Sequence, residues 1–302
     1  MEKKHVKTKK FVYRNKWYGY AMLAPGLILL FIFVIYPFLL ALYRSFINYS
    51  AYETNIHFVG LTNYIQILKD ERFFVSLKNV LFMTLVYTFF MFILSFTFAL
   101  VVKNLSKRMA SITKILCYIP ILLSGIVLSI VFIFIFSNNG LINAIRVDSG
   151  LERIVFNQDD MYPYLIIILP MLWGGFGYNM IVMLAGLLNI PSSYYEAASI
   201  DGANSFQKLF HITIPNMKNY FVLMIINLIT GGLQMFELPM MMTGGGPLDS
   251  TLTPVLFMYW QKSNPTLTES ATMAGCILIM IPIALINILV FKLIKSEKSM
   301  DA

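Results

Sequence analysis

Ser193-Tyr194-Tyr195-Glu196-Ala197-Ala198-Ser199-Ile200-Asp201-Gly202-Ala203, followed after Gly202 and nine intervening residues by Ile212-Thr213-Ile214-Pro215, is the stretch on which the reading of this chain turns. It is polar and helix-forming, lies between two long apolar segments, and should present a surface outside the membrane. Pro191 discourages the preceding segment from running on. Ser193 and Glu196 have the spacing of a capping box, in which hydroxyl and carboxylate satisfy the orphan amides of a helix start. Ala197 and Ala198 are small enough for another surface to approach closely. Gly202 stands where a helix end favours the left-handed conformation. A second short helix is expected from about Asn204, displaying Phe206, Leu209 and Phe210, and Pro215 marks re-entry into the next apolar segment. Such a pair of helices suits either an interfacial position or docking into a partner.

The flanks establish the class. Hydrophobic residues make up 58% of the chain and charged ones 13%, with a mean hydropathy of +0.71, which excludes an ordinary soluble domain. A membrane-crossing helix needs about 20 apolar residues. Six stretches qualify, at about 20–43, 79–102, 115–137, 162–188, 219–243 and 272–294. Backbone amides in lipid must be satisfied within each segment, and no barrel-like alternation is present, so the expected fold is an all-α integral membrane protein of six helices. The division is a basic tail at 1–19, a six-helix domain at 20–294 with the polar loop at 189–218, and a short tail at 295–302. The first apolar run is too long for a cleaved signal peptide.

Lys and Arg set the expected orientation. Sixteen lie in the N-terminal tail, the 103–114 loop, the 189–218 loop and the C-terminal end, against seven (Arg44, Lys69, Arg72, Lys78, Arg146, Arg153 and Lys262) on the other side. The richer side is read as cytoplasmic, so both termini and the polar loop lie inside. Topology and anionic lipid explain the basic excess, and nucleic acid is not needed. Cys117 and Cys276 sit on different apolar segments without metal spacing and read as small buried hydrophobes. No His or Asp cluster in the apolar segments could serve as a base or metal site, so no catalytic residue and no metal ligand is expected.

The spacing Glu-Ala-Ala, three residues, Gly, nine residues, Ile-x-hydrophobic-Pro resembles the cytoplasmic coupling loop of binding-protein-dependent ABC importer permeases, with Ile214 where that family usually has Leu. Leu23-Ala24-Pro25-Gly26, Tyr36-Pro37, Tyr43-Arg44-Ser45-Phe46 and Phe58-Val59-Gly60-Leu61-Thr62-Asn63-Tyr64 are similar to the start of the same family. Thr243-Gly244-Gly245-Gly246-Pro247 lacks the Gly-Lys-Ser/Thr ending of a phosphate cradle and resembles the family's sugar-importing branch. The resemblance implies the first of two permease chains of a maltose- or glycerol-phosphate-type sugar importer, multi-pass in the bacterial plasma membrane. It implies a homologous second permease, two cytoplasmic ATPase subunits that bind the ATP and Mg this chain does not, and an extracellular solute-binding protein. The coupling residues it points to are Tyr195, Glu196, Ala197, Ala198, Asp201, Gly202, Ala203 and Phe206; Asp201 could equally be a plain helix-end residue.

A solute path should appear as polarity inside the later helices. Asn227, Thr230, Gln234 and Glu237 would span about 80° of one face of a continuous fifth helix, at about 100° per residue. Interhelical hydrogen bonding is the competing role for such a stripe. Trp173-Gly174-Gly175-Phe176-Gly177-Tyr178-Asn179 adds glycines that admit close approach and aromatic faces suited to sugar rings. Trp173, Gly175, Tyr178, Asn227, Gln234 and Glu237 are the candidate pathway residues, with packing the alternative for Trp173. The 138–161 loop, mildly acidic through Asp148, Glu152, Asp159 and Asp160, reads as a solvated loop or a contact for an external protein. The rival function is a stand-alone secondary transporter or channel, which would need ionisable groups deep in several helices; only Glu237 approaches that.

Overall fold

The structure, a computed structural model, describes residues 16–49, 55–156, 162–262 and 269–298. The readings placed on Lys3, Lys4, Lys7, Lys9, Lys10 and Arg14, on Asp159 and Asp160, and on 299–302 lie outside the described residues. Six stretches are helical, long and apolar enough to cross a membrane: Gly19–Arg44, Glu71–Lys103, Gly125–Asp148, Tyr162–Leu188, Ser205–Met242 and Glu269–Leu289. The expected all-α, six-span architecture is therefore borne out, and among the described residues the only β pairing is an isolated bridge between Ile47 and Phe58.

In chain order, α1 (Lys16–Leu30) passes through a π turn at Phe31–Ile35 into α2 (Tyr36–Arg44). A short α3 (Thr62–Lys69) precedes α4 (Glu71–Lys103). The second span thus begins at 71, earlier than hydrophobicity alone suggests, because Asp70 Oδ1 caps it by accepting from the Arg72 amide at 2.9 Å and Phe73, Ser76 and Asn79 are already buried. The third apolar stretch, expected as one helix over about 115–137, is interrupted. It runs through the end of α5 (Lys107–Tyr118), a 3-10 turn at Ile119–Leu122 and then α6 (Gly125–Phe136), with Leu123 and Ser124 extended between them. Pro120 lacks an amide hydrogen, and Ser124 starts the new helix by accepting from the Val127 amide at 3.3 Å.

Next come α7 (Leu141–Asp148), α8 (Tyr162–Leu188), α9 (Ser192–Ile200) and α10 (Ser205–Lys208). A π turn at Leu209–Thr213 runs into α11 (Ile214–Leu233), and Gln234-Met235-Phe236 separates that helix from α12 (Glu237–Met242). The fifth span is therefore also broken, and it starts at Ser205, inside the polar loop. A helix not anticipated from the sequence, α13 (Pro254–Gln261), precedes α14 (Glu269–Lys298).

Helix α4 is the axis of the packing, lying most extensively against α8 and then α11. Between these three sit Met91, Met180, Met183, Met217 and Met224, all almost wholly buried; unbranched thioethers fill irregular space between crossing helices. By contrast, nothing in the apolar core of the first span is buried, and Cys276 on α14 is exposed rather than buried as expected.

The bundle has two distinct ends. At one, Arg72 grips Asp249 with two bonds of 2.7 Å, while Asn79 Nδ2 donates to the Asp249 and Leu252 carbonyls at 2.7 and 3.2 Å. Asn143 shares that end's polar accounting: it donates to the Ser137 and Ile154 carbonyls and accepts from the Ile154 amide. The 138–161 loop is therefore organised by α7 and a buried amide as far as it is described. At the other end, Lys103 lies over the ring of Tyr195, 4.4 Å from its centroid.

Gly177 is the tightest crossing. A Cβ there would collide with the Cys117 carbonyl, the α5 backbone lying directly against α8. Gly177→Val should destabilise the bundle by about 1–3 kcal/mol or more, read as a lower midpoint of thermal unfolding in detergent. Gly26→Ala, where a Cβ meets open space, should leave the midpoint unchanged.

Candidate functional site

Two constellations stand out, the polar hairpin at one end and a cavity where two apolar stretches are interrupted. In the hairpin, α9 starts two residues earlier than the sequence suggested, at Ser192. Pro191 is its N-cap, without a side-chain cap bond, so Ser193 falls inside the helix and the expected Ser193–Glu196 capping box does not form. The capping box is instead at Asn204: its Oδ1 accepts from the Gln207 amide at 2.9 Å, and Gln207 Oε1 accepts from the Asn204 amide at 2.8 Å. The α9 end follows expectation. Gly202 has φ +77°, and the Ala203 and Gly202 amides donate back to the Ala198 and Ser199 carbonyls at 2.8 and 3.2 Å, a Schellman closure.

The hairpin's outward surface carries Glu196, Ala197, Asp201 and Gly202, with Ile200 and Phe206 projecting at 87% and 70% exposure. Phe206 rests on Phe210, with ring centroids 4.6 Å apart. Ala198, Asp201, Gly202, Ala203, Gln207 and Lys208 line a hollow of about 350 Å³ in the angle between α9 and the following turn. Tyr195 differs from its neighbours. It is half-buried, and its hydroxyl lies 3.0 Å from Thr213 Oγ1.

The cavity lies where the third and fifth apolar stretches are interrupted. Its volume is about 330 Å³, and Gly125, Met171, Gly231, Gln234, Met235, Phe236, Glu237 and Leu238 line it. The breaks bring these residues together: Gln234 ends α11, Glu237 opens α12, and Gly125 opens α6. A Cβ on Gly125 would collide with the Glu237 carboxylate. That carboxylate therefore sits against the start of α6 while also occupying the first turn of α12. Two helix N-termini favour a negative charge there.

The continuous polar stripe expected on the fifth helix is not what forms. Thr230 Oγ1 donates to Asn287 Oδ1 on α14 at 2.8 Å, an interhelical bond, and Asn227 is exposed without lining the cavity. Gly175 faces Tyr87 and Met91 of α4. Trp173 packs edge-on against Phe132 of α6 at 5.8 Å and stays 44% exposed; Tyr178 is 43% exposed, about 140° further round α8. Gln234 and Glu237 are thus the pair the fold joins. Gly125 and Met171 escaped the sequence reading, although the Ser124-Gly125 dipeptide after Pro120 is a punctuation signal of the right kind.

A family model for the binding-protein-dependent transport system inner membrane component matches residues 109–298, spanning α5 through α14 and both constellations. The chain belongs to this family. Among relatives, the lactose transport system permease protein LacF of Rhizobium radiobacter is 30% identical over 88% of this permease and 90% of its own length. The arabinooligosaccharides transport system permease protein AraP of Bacillus subtilis is 32% identical over 82% and 80%. The sn-glycerol-3-phosphate transport system permease protein UgpA of Salmonella typhimurium is 26% identical over 95% and 97%. A bacterial alginate ABC transporter, solved in complex with an alginate pentasaccharide-bound periplasmic protein, shares the fold, with a TM-score of 0.78 over 91% of this permease and 93% of that chain at 22% identity. The permease is a multi-pass inner-membrane protein of a transport system that uses a binding protein.

Gly202→Val would force a branched side chain into the left-handed region, at about 1–2 kcal/mol of local cost. The expected outcome is faster amide exchange across residues 192–208 with unchanged exchange in α4 and α8, measured by mass spectrometry.

Proposed function

We propose that this permease lines the translocation path of an ATP-driven carbohydrate importer and couples that path to a separate ATPase. The observation that carries the solute assignment is the Gln234–Glu237 pair, which flanks the break in the fifth span where that break faces Gly125. An amide and a carboxylate facing one cavity offer donors and acceptors to vicinal hydroxyls. The Phe236 ring supplies an apolar face for the C–H side of a sugar, and about 330 Å³ falls within the range of ligand pockets. The names of LacF and AraP support a sugar-derived solute.

Coupling is assigned to the hairpin, with Glu196, Ala197, Asp201, Gly202 and Phe206 on the docking side. Its exposed surface and its end of the bundle support this. The hairpin stands beside Lys103, at the start of the basic 103–114 loop, and the Arg72–Asp249 end lies opposite. Read with the excess of Lys and Arg, the hairpin end is cytoplasmic and so are both termini. A homologous second permease, two ATPase subunits holding ATP and Mg, and an external solute-binding protein complete the assembly. Alternating access follows when ATP closes the ATPase pair and the hairpin carries that motion to the breaks. This chain performs no covalent chemistry. Nothing observed favours a stand-alone transporter or channel.

Gln234→Ala and Glu237→Ala should each weaken solute binding by about 1–3 kcal/mol, roughly 5- to 150-fold in half-saturating concentration. Uptake of labelled lactose and arabino-oligosaccharides, measured beside the yield of assembled complex, tests this. Normal uptake at normal assembly would remove both residues from the path. Glu196→Lys should abolish uptake while the chain still inserts in the membrane; full uptake would remove the hairpin from coupling. For topology, a single cysteine at position 205 should react only with reagents that reach the cytoplasm, and one at 248 only from outside.

A further inference from the structure

We infer that Lys103, Tyr195 and Thr213 form a clamp that makes the coupling helix move as one body with α4 and α11, so that Tyr195 is a positioning residue and not a contact for the ATPase. The inference rests on the coupling role proposed above. Helix α9 has no buried residue and packs only sparsely on the rest of the bundle. Left to those contacts it would swing on its two connections and absorb a push without transmitting it.

Tyr195 supplies the missing attachment in two directions. Its ring takes the Lys103 ammonium on its face at 4.4 Å, and the same ammonium donates to the Tyr195 hydroxyl at 3.5 Å. A cation over an aromatic face is attractive even when partly exposed, and Lys103 is at the same time held at the C-terminal end of α4, where the helix dipole favours positive charge. Toward the other side, the hydroxyl lies 3.0 Å from Thr213 Oγ1. Thr213 is buried and its hydroxyl also reaches the Lys208 carbonyl at 3.3 Å, so it fixes the last residue before α11. A second tie reinforces the first: Lys208 Nζ donates to Ser199 Oγ at 2.8 Å, and Ser199 Oγ donates to the Tyr195 carbonyl at 2.7 Å.

The clamped elements are the ones that reach the cavity. Helix α11 ends at Gln234, and shortly before it Gly232 crosses α4 so closely that a Cβ would lie 2.6 Å from the Thr84 methyl. Helix α4 continues to Arg72 and its grip on Asp249 at the far end. A displacement of α9 therefore reaches the Gln234 break through two rigid helices that touch each other beside it.

The test uses the full complex purified from its native membrane into lipid nanodiscs, with ATP plus vanadate as the probe, so the transported solute need not be known. Gln234→Cys, in a chain carrying Cys117→Ser and Cys276→Ser, reports by its rate of reaction with a water-soluble maleimide, read by mass spectrometry of that peptide. With the clamp intact, ATP and vanadate should change this rate by about fivefold or more, the low end of typical coupling between sites. Lys103→Met, and Tyr195→Phe combined with Thr213→Val, should cut the change to less than about twofold with the usual amount of ATPase still co-purifying. Lys103→Arg and Thr213→Ser keep the cation and the hydroxyl and should restore it. A full response in both impaired variants would overturn the clamp. So would a loss of assembled complex that accounts for the whole effect, since the three residues would then be structural only. If the intact complex itself shows no response, or no ATPase co-purifies, the coupling reading falls and the clamp falls with it.

Discussion

Backbone amides and carbonyls have no water to turn to in a membrane, and that constraint governs how this chain can bend. A broken helix in lipid exposes polar groups at several kcal/mol each, so breaks are admissible only where other protein groups receive them. Both breaks meet this condition. At the first, the Leu123 amide donates to the Pro120 carbonyl, Ser124 caps the Val127 amide, and Ser129 Oγ donates to the Gly125 carbonyl at 2.7 Å. At the second, the Met235 amide donates to the Gly232 carbonyl, and the Met235 carbonyl accepts from Thr253 Oγ1 at 3.0 Å. Helix α13 thereby matters beyond its short length, because its N-cap threonine closes the hydrogen bonding of the fifth span.

Because the two breaks face each other, α6 and α12 pack closely and the Glu237 carboxylate comes to rest at the α6 start. A carboxylate within an apolar span is costly on insertion, by roughly 2.5–3.5 kcal/mol at a helix centre. Two helix N-termini and an open cavity reduce that cost, which explains why the residue can sit there at all. The arrangement also separates two polar roles that look alike in sequence. Thr230 spends its hydroxyl on Asn287 and holds α11 to α14, whereas Gln234, at the end of the same helix, stays exposed to the cavity.

The spans and the hairpin were legible because each depends on local chemistry: length of apolar run, proline and glycine placement, small residues at fixed spacing. Gly202 takes its left-handed conformation for a reason that reads directly from sequence. The capping box was misplaced because Ser193-x-x-Glu196 and Asn204-x-x-Gln207 both satisfy the pattern, and only the chain geometry after Pro191 decides between them. The breaks do not show in the sequence because the mean hydropathy of a span averages across Leu123-Ser124 and Gln234-Met235-Phe236. A polar stripe on one face needs an unbroken helix from Asn227 to Glu237, and the break after Leu233 removes it. Lys103 and Thr213 carry no motif, and their importance is a matter of distance to Tyr195.

A hairpin so thinly attached must be held by something other than burial. Docking needs an exposed surface, and exposure removes the burial that ordinarily fixes a helix in place. A nine-residue helix such as α9 is marginal alone, so its position has to come from a few directed contacts rather than from a core. A tyrosine suits the purpose because its ring can lie against a cation while its hydroxyl bonds a different element. Of the two adjacent tyrosines, Tyr194 is exposed and Tyr195 is half-buried toward α4 and the turn before α11. The helix register set by Pro191 is what assigns one to the surface and the other to the clamp. Shifting the start of α9 by one residue would rotate the pair by about 100° and exchange attachment for exposure.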